Sequence, residues 1–497
     1  MISGLVQQMI NILLPFVTRT LILYQLGEEY QGLSSLFTSI LQVLNLTDLG
    51  FSSAVVYILY KPIAEHDNQA VCAIMEYFKK IYRIIGLAVL SLGIILMPFL
   101  PYLIKGSYPD DINIYLLYFI YLTNSVISYW LFAYKSALLN AMQRMDIVNN
   151  ISTVTRAVMY LFQILVLILF SNYYTYIIFL PIATILNNIL LEILSKKYFP
   201  EFLPNGVIPD DTRKALIKQV RGIFINRIGD VARNGADSIF LSSLIGLTAV
   251  AVYNNYFYVY TAVYGISLVI ANSMAASVGN SIAKESIDKN YNDLCKFTFI
   301  FSWFTGWCTV CLCCLYQPFM LIWMRGDMHL LLSNLDMILF CIYFYAITMN
   351  NIRNQYLNGA GLYWELRLWY ILEAVGNIVL NYLLGKFFGI TGILLATLIT
   401  IVLFNFISRN HVLFQYYFKR SIKEFYFQHI FYIIITTIGC VLTYFICSFV
   451  SFNGIIGLLS KMAICMVIPN ILFLGAYFRT NKFQESVLFI NTTFQVF

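Results

Sequence analysis

The stretch NRIGDVARNGAD, residues 226 to 237, sets Arg227, Asp230, Arg233 and Asp237 between apolar flanks. At about 100° per residue these four share one helical arc with Asn226 and Asn234, while Ile225, Ile228, Val231, Ile239 and Phe240 lie mostly elsewhere. A wet face in an apolar helix serves one of three chemistries. Guanidinium forks bind anions, opposite charges lock the helix as internal pairs, or carboxylates load protons or cations. Other ionisable residues sit inside apolar runs in the same way: Arg19, Asp48 within LTDLGF, Arg156, and Glu373, which heads a stripe with Asn377 and Asn381 at i, i+4, i+8. Asn254 and Asn255, flanked by Tyr253 and Tyr256, add amides to a further run.

Lipid must surround the elements that position these groups. Of 497 residues, 60% are hydrophobic and only 11% charged, against roughly a quarter charged in soluble domains. Apolar runs long enough for a hydrocarbon core of about 30 Å recur near 5–26, 33–60, 81–104, 113–139, 147–171, 174–195, 222–245, 250–279, 296–324, 333–358, 362–385, 389–412, 427–450 and 455–478. They far exceed the alternating strands of about ten residues that a barrel requires, so the expected fold class is an all-α integral membrane protein of about fourteen transmembrane helices. The first run has no basic leader and carries Arg19 inside it, so it is expected to be retained.

With a cytoplasmic N-terminus, most of the 31 Lys and Arg fall in inside loops and helix ends, among them Lys61, Lys79, Lys80, Lys135, Arg213, Lys214, Arg353, Arg409, Lys419 and Arg420. Both termini are therefore expected inside. The same bias accounts for the net charge of +7 without a nucleic-acid partner.

The chain also repeats itself. PFLPYLIKG at 98–106 answers PFMLIWMRG at 318–326, Leu26-Gly27 answers Ile245-Gly246, and Leu139-Asn140-Ala141 answers Leu357-Asn358-Gly359, all displaced by 218 to 220 residues. This predicts two six-helix lobes in parallel repeat. An N-terminal lobe over 1–200 is followed by a cytoplasmic linker over 201–221, a C-terminal lobe over 222–415, and two extra helices over 416–497. Parallel repeats of this kind occur in transporters whose substrate passes between lobes.

Ten cysteines include Cys308, Cys311, Cys313 and Cys314 in one run, among Phe, Trp, Leu and Val with no His nearby. They read as small apolar packing residues, and no metal site is expected. No GxxxxGK[ST] loop is present, so ATP hydrolysis by this chain is not expected. His66, His329, His411 and His429 stand singly, and outside loops such as KGSYPDD at 105–111 are short. Both features argue against a polysaccharide polymerase or acyltransferase, and the chain is not expected to be an enzyme.

The stretches FVTRTLILYQLGEEYQGLSSLFTSILQVLNLTDLGFSSAVVY at 16–57 and ADSIFLSSLIGLTAVAVYNNY at 236–256 resemble the oligosaccharide-lipid flippases of polysaccharide biosynthesis. That family belongs to the multidrug/oligosaccharidyl-lipid/polysaccharide exporter superfamily. The resemblance implies a MATE-like V shape of two lobes in the bacterial cytoplasmic membrane. It also implies movement of undecaprenyl-pyrophosphate-linked oligosaccharide from the inner to the outer leaflet by alternating access, with a polysaccharide polymerase as a candidate partner. On this reading Arg19, Arg156 and Arg233 meet the head group, with Arg227 as a first contact, and Asn254 and Asn255 line the path. Asp48, Asp230, Asp237 and Glu373 are candidates for ion coupling or internal pairs, and for Glu373 the pairing candidate is Arg367. No cofactor is expected, and coupling to H+ or Na+ stays open beside downhill movement. A cation-coupled multidrug exporter and a peptidoglycan lipid precursor flippase of the same fold stay open as alternatives.

Overall fold

The computed structural model describes residues 2–45 and 51–494, with the side chains of 2–8, 53, 215, 218, 219, 221–234 and 490–494 outside that description. Among the described residues there is no strand, and the chain forms two compact units, Met1–Ala251 and Val252–Phe497.

The first unit is built from α1 (Ile2–Gln25), α2 (Glu28–Leu44), α3 (Phe51–Ala64), α4 (Asn68–Leu96, extended by a 3-10 turn Met97–Leu103), α5 (Ile114–Trp130), α6 (Tyr134–Ala141), α7 (Met145–Phe170), α8 (Tyr173–Ile177), α9 (Phe179–Tyr198) and α10 (Asp210–Leu244). Local signals set these ends. Asp67 caps α4 by accepting the Ala70 N–H at 2.9 Å, and Asn113 caps α5 by accepting from Tyr115 and Leu116, each at 3.1 Å. The expected run 113–139 is a bent pair, α5 and α6, at 46°. α10 starts inside the expected linker and packs on α2 and α3, which is why compactness divides the chain later than the Pro-rich loop suggests.

α11 (Leu247–Ser273) carries the chain from the first unit into the second. There follow α12 (Ala275–Lys284), α13 (Ile287–Trp323), α14 (Asn334–Gly359), α15 (Tyr363–Thr400), α16 (Ser408–Val412), α17 (Lys423–Ser448), α18 (Gly454–Tyr477) and α19 (Asn481–Phe494). Ser286 and Ser333 cap α13 and α14. Two π-helical segments, Ile401–Ile407 and Leu413–Phe418, flank α16.

Nine helical stretches among the described residues are long and apolar enough to cross a membrane, ten if α5 and α6 make one crossing. One of them, Tyr363–Phe418, has 56 residues, about 84 Å of helix against a core of about 30 Å. It folds at Gly389 (φ 61), and Gly392 then lies so near Leu384 that a Cβ there would stand 2.0 Å from the Leu384 carbonyl oxygen. Two of the expected runs therefore share that stretch. The protein is an all-helical, multi-pass membrane protein. Its surface agrees with a lipid solvent: Leu169, Phe170, Phe387, Val441 and Ile456 are exposed, while Asn377, Asn381 and Thr443 are fully buried.

The duplication is visible in local structure. Gly27 (φ 113) and Gly246 (φ 138) both follow a helix in a backbone region open to glycine, as do Gly106 (φ 89) and Gly326 (φ 82) at the ends of the matched nonapeptides. Ala141 and Gly359 are the last residues of α6 and α14. Helices also pack closely at Gly32 on α2, where a Cβ would stand 2.3 Å from the carbonyl oxygen of Leu247. Gly32→Val is expected to lower stability by about 1–3 kcal/mol, read as a fall in unfolding temperature in detergent. An unchanged temperature would contradict that contact.

Candidate functional site

In the first unit, α1 carries Arg19, half-buried among apolar neighbours on the helix. Its charge acts on the hydroxyls of Tyr121 from α5 and Tyr176 from α8. Tyr121 donates to Ser34 Oγ of α2 at 3.0 Å and shares a hydrogen bond of 3.1 Å with Tyr173 of α8. Tyr30 packs its ring on Tyr173 at 5.5 Å and bonds Asp111. Three helices thus bring linked hydroxyls to the side of α1 that carries the guanidinium. Such a set offers charge-assisted donors to a phosphate oxygen and flat, hydroxyl-tipped rings to a sugar.

Arg156 on α7 is exposed and donates to Asn11 Oδ1 of α1 at 3.1 Å. Asn11 and Arg19 are eight residues apart on one helix, about 12 Å along its axis, so the α1/α7 pair places both arginines on connected elements at different depths. Polar contacts continue inward. Thr184 of α9 donates to Asn124 of α5 at 2.7 Å, and Ser152 and Thr155 of α7 both reach Asn187 of α9 at 3.3 Å. Lys135 on α6, 1% exposed, stands 3.7 Å from Glu192, which Lys196 also pairs at 2.8 Å. Lys135 was expected at a helix end near water; it is buried instead, held by Glu192 and by the Phe202 carbonyl at 3.3 Å.

The NRIGDVARNGAD stretch lies within α10. The side chains of Arg227, Asp230 and Arg233 lie outside the described residues, as does the whole of Asp48. Asp237 is 3% exposed, next to buried Ser238 and Ser242.

In the second unit, Glu373 on α15 is 1% exposed and ten residues inside its helix, about 15 Å deep. Its partner is Arg409 of α16, not Arg367, which instead stacks on Trp364 at 4.0 Å and donates to the Trp364 carbonyl at 2.6 Å. Arg409 also covers the Tyr370 ring at 4.0 Å. Asn405 donates to Glu373 at 3.4 Å and receives Arg353 of α14 at both its carbonyl (2.8 Å) and its side-chain oxygen (2.7 Å). Arg353 and Arg409 are 2% and 3% exposed, so two buried guanidiniums are arranged around one carboxylate. Asn377 and Asn381 continue the stripe, both buried, with Asn377 donating to Thr397 at 3.3 Å. The positive-inside bias had placed Arg353 and Arg409 at helix ends. Each lies at least six residues inside its helical stretch, and that depth was the available signal.

Asn255 is buried and Asn254 half-buried on α11. Their neighbour Tyr256 is a core residue: its hydroxyl donates to Gln317 at 2.5 Å and accepts the Leu332 N–H at 3.2 Å, and its ring packs on Tyr316 and Phe340.

The fold has known counterparts. A structure of the lipid II flippase MurJ in an inward closed conformation superposes with a TM-score of 0.68 at 16% identity, covering 96% of this chain and 98% of that one. An inward-facing multidrug resistance MATE family transporter of the MOP superfamily gives 0.59 at 12% identity, covering 82% and 94%. A MOP superfamily transporter from Pyrococcus furiosus, described as having a binding pocket of reversed polarity, gives 0.54 at 10% identity, covering 84% and 95%. No curated protein sequence matches the chain. The family model for polysaccharide biosynthesis proteins matches residues 1–277, and that stretch includes the whole Arg19 hydroxyl cluster and the helices that hold it. The chain belongs to the polysaccharide biosynthesis protein family, with the fold of the MurJ and MATE transporters.

Proposed function

We propose that this protein is a flippase that moves undecaprenyl-pyrophosphate-linked oligosaccharide repeat units from the inner to the outer leaflet of the bacterial cytoplasmic membrane. It does so by alternating access, with both termini cytoplasmic, and serves synthesis of a surface polysaccharide. The observation that carries the reading is Arg19, a half-buried guanidinium whose charge acts on the hydroxyls of Tyr121 and Tyr176, with Ser34 and Tyr173 hydrogen-bonded to Tyr121. Pyrophosphate is a dense dianion that a planar fork of donors matches, and phenol rings with hydroxyl tips suit sugar faces and edges. A cation exporter gains nothing from this arrangement. Arg156, Arg227, Arg233, Asn254 and Asn255 are assigned to further substrate contacts, and Asp48, Asp230 and Asp237 to ion coupling or internal pairing.

A second reading, translocation of a peptidoglycan lipid precursor, is favoured by the likeness to the lipid II flippase MurJ over nearly the whole chain. Both substrates share the pyrophosphate and differ in the saccharide. Expression in a bacterial strain that lacks its own repeat-unit translocase but keeps the matching glycosyltransferases is expected to restore surface polysaccharide. Rescue of a strain depleted of its lipid II flippase, without restored polysaccharide, would favour the second reading.

A further inference from the structure

The cysteines of α13 do not end their contacts on that helix. Cys314 of α13, Cys447 of α17 and Cys465 of α18 have Sγ atoms that all lie within 4.8 Å of one another, and all three residues are buried. Cys311, one turn from Cys314 on the same face, approaches the Cys465 carbonyl at 4.0 Å. A cavity of about 740 Å³ in the second unit is lined by Cys314 and Cys447 together with Lys461, Asn453 and Gln317, so the thiols have a route for ions.

We propose that Cys314, Cys447 and Cys465 form a site for one soft divalent d10 cation, with Cys311 available as a fourth sulfur. The donor set is thiol only, which suits soft cations and excludes Mg2+ and Ca2+. Three sulfurs each at about 2.3 Å from a metal stand about 4 Å apart, so the observed spacing closes on an ion with sub-ångström movement. Charge selects a divalent ion over a monovalent one. Three thiolates on a 2+ ion leave a single negative charge, and Lys461, which acts electrostatically on Cys447, supplies one positive charge in the same cavity. In the binding step three S–H bonds break, three S–metal bonds form, and three protons leave to water in the cavity, with no change of oxidation state. The bound ion would tie α13, α17 and α18 together, helices that already pack pairwise, and so fasten the two C-terminal helices to the unit.

The test uses the full-length protein, reduced and stripped of metal in detergent, with Cd2+ as the probe. A single retained Cd2+ per chain, ultraviolet sulfur-to-metal absorption and a raised unfolding temperature are the expected results. Cys465→Ser, Cys314→Ser and Cys447→Ser should each lose the absorption, while Cys72→Ser in the first unit keeps it. Because a serine in this packed region can itself impair folding, X-ray absorption on the wild type decides independently. A shell of three or four sulfurs supports the site; a shell of oxygen and nitrogen, no retained Cd2+, or disulfides formed among these cysteines in place of metal binding overturns it.

Discussion

Glu373→Gln is expected to destabilise the second unit by about 3–5 kcal/mol, the usual cost of removing one partner from a buried ion pair. The reason lies in the count of charges. Arg409 has Glu373 as its carboxylate partner, and Arg353 donates to oxygens of Asn405 and Asn354 rather than to a second carboxylate. Without the carboxylate, two guanidiniums remain buried with only dipoles around them. The check is thermal unfolding in detergent, and the double variant Glu373→Gln, Arg409→Gln should recover much of the loss because it removes the stranded cation. A single variant as stable as the wild type would mean that the pair contributes nothing.

Arg19→Ala is expected to slow substrate translocation by about 10- to 100-fold, which corresponds to about 1.5–3 kcal/mol for hydrogen bonds to a charged group. Arg19→Lys keeps the charge and loses the fork, so it should fall between the two. Stability is the control. Arg19 is only half-buried, so the alanine protein should unfold at nearly the wild-type temperature while losing transport. Equal transport by wild type and alanine variant would assign Arg19 a structural role.

Fold class was legible because lipid imposes one rule on every residue, and runs of apolar side chains report it without reference to tertiary contacts. The duplication was legible for a similar reason: Gly27, Gly246, Gly106 and Gly326 sit at positive φ, and such positions leave a residue-type signature. The partners of buried charges were not legible. Glu373 and Arg367 are neighbours in sequence, yet the carboxylate faces Arg409, which the fold at Gly389 and the π-helical segments bring alongside α15. Periodicity on one helix says which side chains share a face and is silent about what faces them. The same limit applied to the cysteines. Cys311 and Cys314 read as packing residues on their own helix, and only the meeting of α13, α17 and α18 places Cys447 and Cys465 against Cys314. Tyr121, Tyr173 and Ser34 around Arg19 were hidden among 37 tyrosines for want of any local pattern.

The most direct test of the transport assignment is reconstitution of the purified protein in liposomes with a fluorescent undecaprenyl-pyrophosphate oligosaccharide, read by leaflet-specific quenching. Protein-dependent movement of this lipid between leaflets, slowed in Arg19→Ala, is the expected result. Export of organic cations by the same proteoliposomes, with the glycolipid left in its original leaflet, would contradict it.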